Sequence, residues 1–392
     1  MKLSKRGLGD LFDFLNGKSI KPGGTGQIPV YGSNGIIGGS GESLYCDGVI
    51  IGRVGAYCGS VEYCPGPFWP SDNTIVAAGK EGQILPRYGF YLLKNLDLHR
   101  WAGGAAQPLL THTVLRALSA TVPTVADQGR ILHVLAAYDD LIENNTRRIK
   151  ILEEIASSLY REWFVNFRFP GYGKARFVST SDGRFPVGWV QPFPDHVDFK
   201  EGPGLRNWQY RNQGIPFLNI RTLLPNDIDL KAVNYLDPIE VEQKYTHFLL
   251  EAGDHVVSSS GTLGRIATVR FRHLPIMLNT SIIRMRPKGE RMGRWQLKHF
   301  LQSDYFQNQI RAAAGGVAQP NYGPSHLKGM WVIASPKEIA VQYEGIVTSL
   351  EDQIANFAER NHILRMTRDL LLPRLIAGEI DVSSLPVKPK AS

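Results

Sequence analysis

The stretch YDDLIENNTRRIKILEEIASSLY, Tyr138–Tyr160, comes back 212 residues later as LEDQIANFAERNHILRMTRDLLL, Leu350–Leu372. Asp140, Ile142, Asn144, Arg148, Ile151, Leu152 and Leu159 fall on Asp352, Ile354, Asn356, Arg360, Ile363, Leu364 and Leu371. In both copies apolar residues step by three and four. Leu135, Tyr138, Ile142, Ile149, Leu152, Ala156, Leu159 and Trp163 form one stripe; Val347, Leu350, Ile354, Phe357, Leu364, Leu371 and Leu375 form the other. Such a stripe, sustained for three to four heptads, predicts two long helices that pack on each other as a coiled coil. The competing reading is two separate amphipathic helices, each packed on its own domain. Asn145, Asn361 and Arg368 interrupt the stripe, and either set its register or face solvent.

The same offset joins AGGAAQP (Ala102–Pro108) to AGGVAQP (Ala314–Pro320), and Thr113–Arg116 to Ser325–Lys328. Upstream it slips to 206: Gly55 meets Gly261, and Asn73-Thr74 meets Asn279-Thr280. A period near 200 residues marks a duplicated domain rather than a solenoid. Each half opens with short runs between turns, such as GVIIGRV and HVVSSS, which read as strands, with a few helices such as GRWQLKHFLQSDYFQNQIRAA. Each half closes on its long helix. The expected division is a first head over 1–125, a helix over 126–167, a linker over 168–187, a second head over 188–336, a helix over 337–380 and a tail over 381–392.

Composition is that of a globular protein, with 43% hydrophobic and 20% charged residues. No apolar run reaches the ~20 residues of a membrane helix, and Met1 opens a polar stretch rather than a signal peptide, so a soluble, cytoplasmic protein is expected. Cys46, Cys58 and Cys64 form no CxxC pair, which argues against a disulfide framework or a structural zinc site. The net charge of +8 is uneven: +3 on 1–125, +3 on 166–187 and +5 on 188–336, against −2 on 126–165 and −1 on 337–392. Basic heads point to a polyanion, and acidic helices to protein.

Catalytic patterns fail one by one. NGKS (Asn16–Ser19) ends like a phosphate loop, but Phe12 stands where the loop needs its first glycine. Gly35, Gly38, Gly39 and Gly41 do not fit GxGxxG. PDHVDFK (Pro194–Lys200) holds the letters of a PD-(D/E)xK nuclease, with both acids, Asp195 and Asp198, crowded onto one short stretch. DPIE (Asp237–Glu240) lacks the aromatic of an amino-methyltransferase motif, and the ten histidines show no metal-ligand spacing. The residues read as a binding protein with two similar heads and no metal site of its own.

That plan resembles the specificity (S) subunit of type I restriction–modification systems. Asp139, Asp140, Ile142, Asn144, Arg147 and Arg148 stand at the places of the family's DD–I–N–RR pattern, and Trp163, Phe164 and Val165 at its SWFV-like end. RDLLLPRLIAGEI (Arg368–Ile380) is similar to the family's LLP-L-SGEI ending, with Ala377 for the usual serine. IPVYGSNGIIG (Ile28–Gly38), SDNTIV (Ser71–Val76) and PVGW (Pro186–Trp189) look like target-recognition-domain phrases. The resemblance covers nearly the whole chain. It implies an α+β fold: two similar mixed α/β target recognition domains separated by two long helices, which pack as an antiparallel coiled coil in a pseudo-two-fold repeat. It also implies a subunit without catalysis or cofactor of its own. Each head reads half of a bipartite duplex target, and the helices act as a spacer that docks two methyltransferase (M) subunits. S-adenosylmethionine, ATP and Mg would belong to the M and restriction (R) partners. The alternative is the recognition portion of a single-chain restriction–methylation enzyme.

Base reading favours Arg, Asn, Gln, Ser and Thr on loops. The expected DNA-contacting residues are therefore Tyr31, Asn34, Arg53 and Gln107 in the first head, and Asn219, Arg221, Ser259, Thr262, Arg265, Gln319 and Asn321 in the second. Asn73 and Asn279 recur in both heads, which favours a turn-forming role. The repeated AGG phrase reads either as a close-packed turn or as a loop at the groove.

Overall fold

The computed structural model describes all residues except 22–23, 105–106, 181–182, 232, 316–320 and 387–392. The chain folds as two compact units, Met1–Thr146 with Glu359–Ser392, and Arg147–Ala358. Each unit combines one head with a part of both long helices.

In the first unit β1 (Leu3–Gly7) leads through one helical turn, α1 (Leu8–Leu11), into β2 (Phe12–Asn16). With β3 (Ile28–Gly32), β4 (Gly35–Ser40), β5 (Tyr45–Gly52), β6 (Val61–Pro70) and β7 (Thr74–Gly79) it makes a six-stranded sheet ordered β2-β7-β5-β6-β3-β4. The central strand shows why. A strand's period of two sends Val49 and Ile51 to one face and Ile50 to the other. Val49 and Ile51 pack with Ile75, Ala77 and Tyr88 against α2 (Pro86–Asn95), while Ile50 packs with Tyr31, Phe68 and Val76. A strand covered on both faces needs an unbroken apolar run. Gly89 lets α2 approach, since a Cβ there would lie 2.7 Å from the Phe12 ring. After α3 (His112–Ala117), β8 (Ser119–Pro123) returns antiparallel to β1.

The second unit repeats this plan. It begins with a hairpin, β9 (Phe177–Thr180) and β10 (Gly183–Pro186), then β11 (Val190–Pro192), α5 (Phe193–His196) and β12 (Val197–Glu201). A larger insertion follows, with β13 (Ile215–Phe217) paired to β16 (Asn234–Leu236), β14 (Leu223–Leu224) paired to β15 (Asp227–Ile228), and α6 (Pro238–Glu240). Then β17 (His255–Ser258), β18 (Ile266–Thr268) and β19 (Ile282–Pro287) complete a sheet ordered β12-β19-β17-β18, the same succession as β2-β7-β5-β6. Val257 packs toward the aromatic core of the unit and Val256 toward the insertion, as Ile51 and Ile50 do 206 residues earlier. The stretch expected as one helix is two, α7 (Arg294–Gln302) and α8 (Asp304–Ala313). Ser303 breaks it, with extended backbone (φ −70°, ψ 151°) and an Oγ that accepts from the Phe306 amide at 3.5 Å. After α9 (Pro324–Leu327), β20 (Trp331–Ile333) pairs with β11 as β8 pairs with β1.

The long helices are α4 (Val125–Tyr160) and α10 (Lys337–Ile376). They run antiparallel within each unit: Arg368 meets Asp139 in the first, and Tyr343 meets Tyr160 in the second. Every seam residue named above is buried or half-buried. The interruptions face one another rather than solvent. Asn145 is bonded to Asn361 at 3.0 Å, and Arg368 to Asp139 at 2.7 Å. α4 stops short of the expected 167. Arg161–Val165 form a wider π turn that lets the consecutive Trp163 and Phe164 both enter the core, their rings 5.7 and 4.9 Å from that of Tyr343. α10 ends at Gly378 (φ 75°), where a Cβ would lie 2.5 Å from Leu3 Cδ1. Leu372, Leu375, Ile376 and Val382 thereby complete the core of the first head.

One acid in each long helix fastens the neighbouring head. Asp139 takes the Tyr91 hydroxyl of α2, with Arg87 Nη2 at 3.5 Å. Its counterpart 212 residues on, Glu351, takes Lys298 of α7 at 2.6 and 2.7 Å, with His299 Nε2 at 3.4 Å. Burial alone would raise the Glu351 carboxyl; bonds from His299 and Lys298 outweigh it and hold the group down to about 2.

The second unit also buries His255, where the first head has Val49 at the matching place. Burial pushes its imidazole down to about 4. Its Nδ1 lies 3.0 Å from Thr268 Oγ1 and its Nε2 lies 2.9 Å from the Arg294 carbonyl. The unfolded chain then binds a proton that the folded one refuses, so stability is full above about pH 6.5 and falls as pH drops toward 4. A loss of about 2 kcal/mol between pH 7.5 and 5 is expected. Hydrogen exchange should show it in β17–β19 and not in β5–β7, and His255→Val should reduce it, leaving the smaller share of the buried His273 and His299. Equal acid response of both sheets would contradict this account.

Candidate nucleic-acid interface

In the first head the chain ends β5 with a tight loop. Gly52 donates to Ser60 and Gly59 donates back to Gly52, both at 2.8 Å. Gly59 has φ 86°, and a Cβ there would sit 2.4 Å from the His99 amide nitrogen, so only glycine closes the loop against the Leu98–Trp101 turn. Arg53 is pinned by its backbone between two segments, donating to Asn73 at 2.9 Å and accepting from Leu110 at 3.0 Å. The Asn34 turn is stitched to the same place, because Ser60 Oγ donates to Ser33 at 2.6 Å and Ser33 Oγ donates to Asn73 at 2.7 Å. Asn34, Tyr57, Asn73, Trp101 and Gln107 are exposed around the half-buried Arg53, whose Nε is buried without a partner. This end of the head presents amides, an arginine and two aromatic faces, groups suited to base edges and phosphates.

Tyr31 is not part of that surface. It is 8% exposed, its ring lies 6.0 Å from that of Phe68, and burial pushes its phenol far up. An aromatic in the apolar alternation of a strand serves the core, which corrects the expected surface position.

The second head builds the corresponding loop with other side chains. Ser258 donates to Arg265 and Gly264 back to Ser258, both at 3.0 Å, and Tyr322 donates to Ser259 at 3.0 Å as Leu110 does to Arg53. Gly264 (φ 71°) takes the place of Gly59. Arg221, Thr262 and Asn321 are exposed. Ser259 is 2% exposed but, with Ser260, Thr280, Asn321 and His326, lines a polar cavity of about 430 Å³. Two expected contacts are committed to structure. Asn219 Oδ1 accepts from the Arg221 amide at 2.9 Å, capping the Ile220–Thr222 turn, and Arg265 Nη1 donates to the Leu223 carbonyl at 2.7 Å. Asn279 holds its turn, accepting from the Ser281 amide and hydroxyl at 3.0 and 2.6 Å. Gln319 lies outside the described residues, as does part of each AGG phrase. Asp198 is occupied by Arg284, and among the described residues no group of three His, Cys, Asp or Glu side chains gathers as for a metal ion.

Residues 2–154, the first head and most of α4, match the family model of the type I restriction modification DNA specificity domain. The type I restriction enzyme MjaIX specificity subunit of Methanocaldococcus jannaschii is 24% identical over 357 residues, spanning 87% of this chain and 80% of its own. The HindI specificity subunit of Haemophilus influenzae is 23% identical over 363 residues, spanning 76% of this chain and 78% of its own. The chain is thus similar to type I specificity subunits along most of its length, and carries their DNA specificity domain over residues 2–154. The crystal structure of an S subunit from M. genitalium shares the fold of this chain, with a TM-score of 0.58 and 16% identity over 96% of both chains. No helix among its described residues is long and apolar enough to cross a membrane. The sequence reading missed Tyr57 and Trp101, because the exposure of an aromatic leaves no local signal. It also missed the Asp139–Glu351 equivalence, which the 212-residue offset already carried.

Proposed function

We propose that this chain is the specificity subunit, the non-catalytic DNA reader, of a type I restriction–modification enzyme, each head taking one half of a bipartite duplex target. The observation that carries this is the pair of matching loops. The backbone bonds of Gly52–Ser60 recur in Ser258–Arg265, yet Arg53 and Tyr57 are replaced by Ser259 and Leu263. Conserved geometry with changed side chains is what two readers of different half-sites require. Asn34, Arg53 and Gln107 in the first head, and Arg221, Thr262 and Asn321 in the second, are the proposed contacts. In this reading α4 and α10 are the spacer between half-sites and the platform for two M subunits. Those partners bring S-adenosylmethionine and methylate the target, and R subunits bring ATP and Mg chemistry, all on cytoplasmic DNA.

The test is filter binding of long duplex DNA by the purified chain with its M subunit and S-adenosylmethionine, followed by mapping of methylated adenines. A bipartite methylated motif is expected, and Arg53→Ala should relax one half of it and leave the other intact. Retention of no duplex by the assembled complex would overturn the reading.

A further inference from the structure

The two long helices are copies of one another, so each has a rival partner: the same helix of a second chain. In the observed pairing Asn145 Nδ2 donates to Asn361 Oδ1 at 3.0 Å, and Asn361 Nδ2 donates to the Ile142 carbonyl at 3.3 Å and to Thr146 Oγ1 at 3.1 Å. Both asparagines are buried, at 7% and 2% exposure. If the residue numbers of that pair, summing to 506, are carried along the two sequences into the second unit, Ile149 is the residue opposite Phe357. Both are half-buried, and the Arg148 guanidinium lies 5.5 Å from the centre of the Phe357 ring. The repeat offset of 212 relates Asn145 to Phe357 and Ile149 to Asn361. Two equivalent layers of the seam are therefore filled differently, one by a bonded amide pair and one by hydrocarbon.

We propose that this difference is a pairing code by which α4 selects α10 of its own chain over the matching helix of a second copy. Pairing α4 with another α4 in the equivalent register sets Asn145 against Ile149 twice. Pairing α10 with another α10 sets Asn361 against Phe357 twice. Each such layer buries an amide against hydrocarbon and forfeits the full cost of desolvating it. Only the observed combination matches amide to amide and apolar to apolar. Buried asparagines at seam positions specify register and partner in this way. The consequence is that two unlike heads stay together as a fixed pair and are not traded between copies.

The test uses full-length chains carrying two different tags, co-expressed and purified through both tags in succession. The pair Ile149→Asn with Asn361→Leu inverts the code, so that layers match only when like helices meet. The set Asn145→Ile, Ile149→Asn, Phe357→Asn and Asn361→Phe moves the amide pair to the equivalent layer and keeps the code. The pair Asn145→Ile with Asn361→Leu erases it. Wild type and the relocated set should give the same low yield of two-tag product. The inverted pair should raise that yield on the order of tenfold, and the erased pair should raise it to a lesser extent. Should the inverted pair fail to fold, the erased pair decides alone. Two-tag yields equal to wild type in the folded inverted or erased chain, or a relocated set that exchanges as freely as the inverted pair, would overturn the proposal. No DNA enters the measurement, so its outcome is independent of the DNA-reading assignment.

Discussion

Leu135→Asp unfolds the first unit and Val347→Asp unfolds the second. Each leucine or valine is fully buried at the foot of a long helix, Leu135 among Leu8, Leu115 and Leu375, and Val347 among Tyr160, Phe300 and Tyr343. Removing the apolar side chain forfeits about 2 kcal/mol of burial. Seating a carboxylate in its place adds several kcal/mol, because both positions are lined by apolar side chains and the buried Lys298 near Val347 is already bonded to Glu351. The sum, about 5 kcal/mol, matches the whole stability of a typical domain. The introduced aspartate would be protonated more readily folded than unfolded, so the deficit should grow as pH rises above about 4. Leu152→Asp and Leu364→Asp touch half-buried seam positions, where the carboxylate reaches water, and should cost only about 1 to 2 kcal/mol. Urea unfolding of the full chain, followed by hydrogen exchange in each sheet, measures all four. A folded Leu135→Asp chain within 1 kcal/mol of wild type would mean that the seam is open at that point.

The legible part of this fold was its periodic part. Helix stripes at three and four, and runs such as Val49-Ile50-Ile51, announce their partners' faces before any partner is known. Ser303-Asp304 was a readable helix start inside an apparently continuous helix, and the apolar stripe on either side masked it. The strand order β2-β7-β5-β6, and the closing of the first head's core by Leu375 and Val382 from the far end of the chain, depend on long-range packing that no local period encodes. The site was legible only as a location. Residue type suggested Arg53, Asn219, Ser259 and Arg265 equally, yet Asn219 Oδ1 caps a turn and Arg265 is bonded to a carbonyl, while Arg53 Nε and Asn219 Nδ2 stay buried without a partner. Which polar groups are already spent is a tertiary fact.

The same sorting decides the salt response of DNA binding. Between about 50 and 200 mM salt the affinity of the assembled complex should fall by about 10³, if about six phosphates are neutralised and each contributes a slope near 0.9. The net +5 of the second head already subtracts its acids, and internal pairing decides which individual cations remain to meet DNA. Arg284 holds Asp198, Arg286 holds Asp254 and Glu251, and Arg270 lies 3.4 Å from Asp227. Arg206, Arg221 and Lys328 in the second head, and Arg100 and Arg116 in the first, are exposed cations, and the proposed function assigns phosphate contacts to groups of this kind. Arg221→Ala should therefore lower the log–log slope by about one and weaken binding to all sequences alike. Arg284→Ala should leave the slope unchanged, because that guanidinium is 9% exposed and bound to its own carboxylate, and should instead lower the stability of the β12–β19 edge. Salt titrations of the two variants beside wild type separate these outcomes. A slope that Arg284→Ala changes and Arg221→Ala does not would place the DNA on a different face of the head.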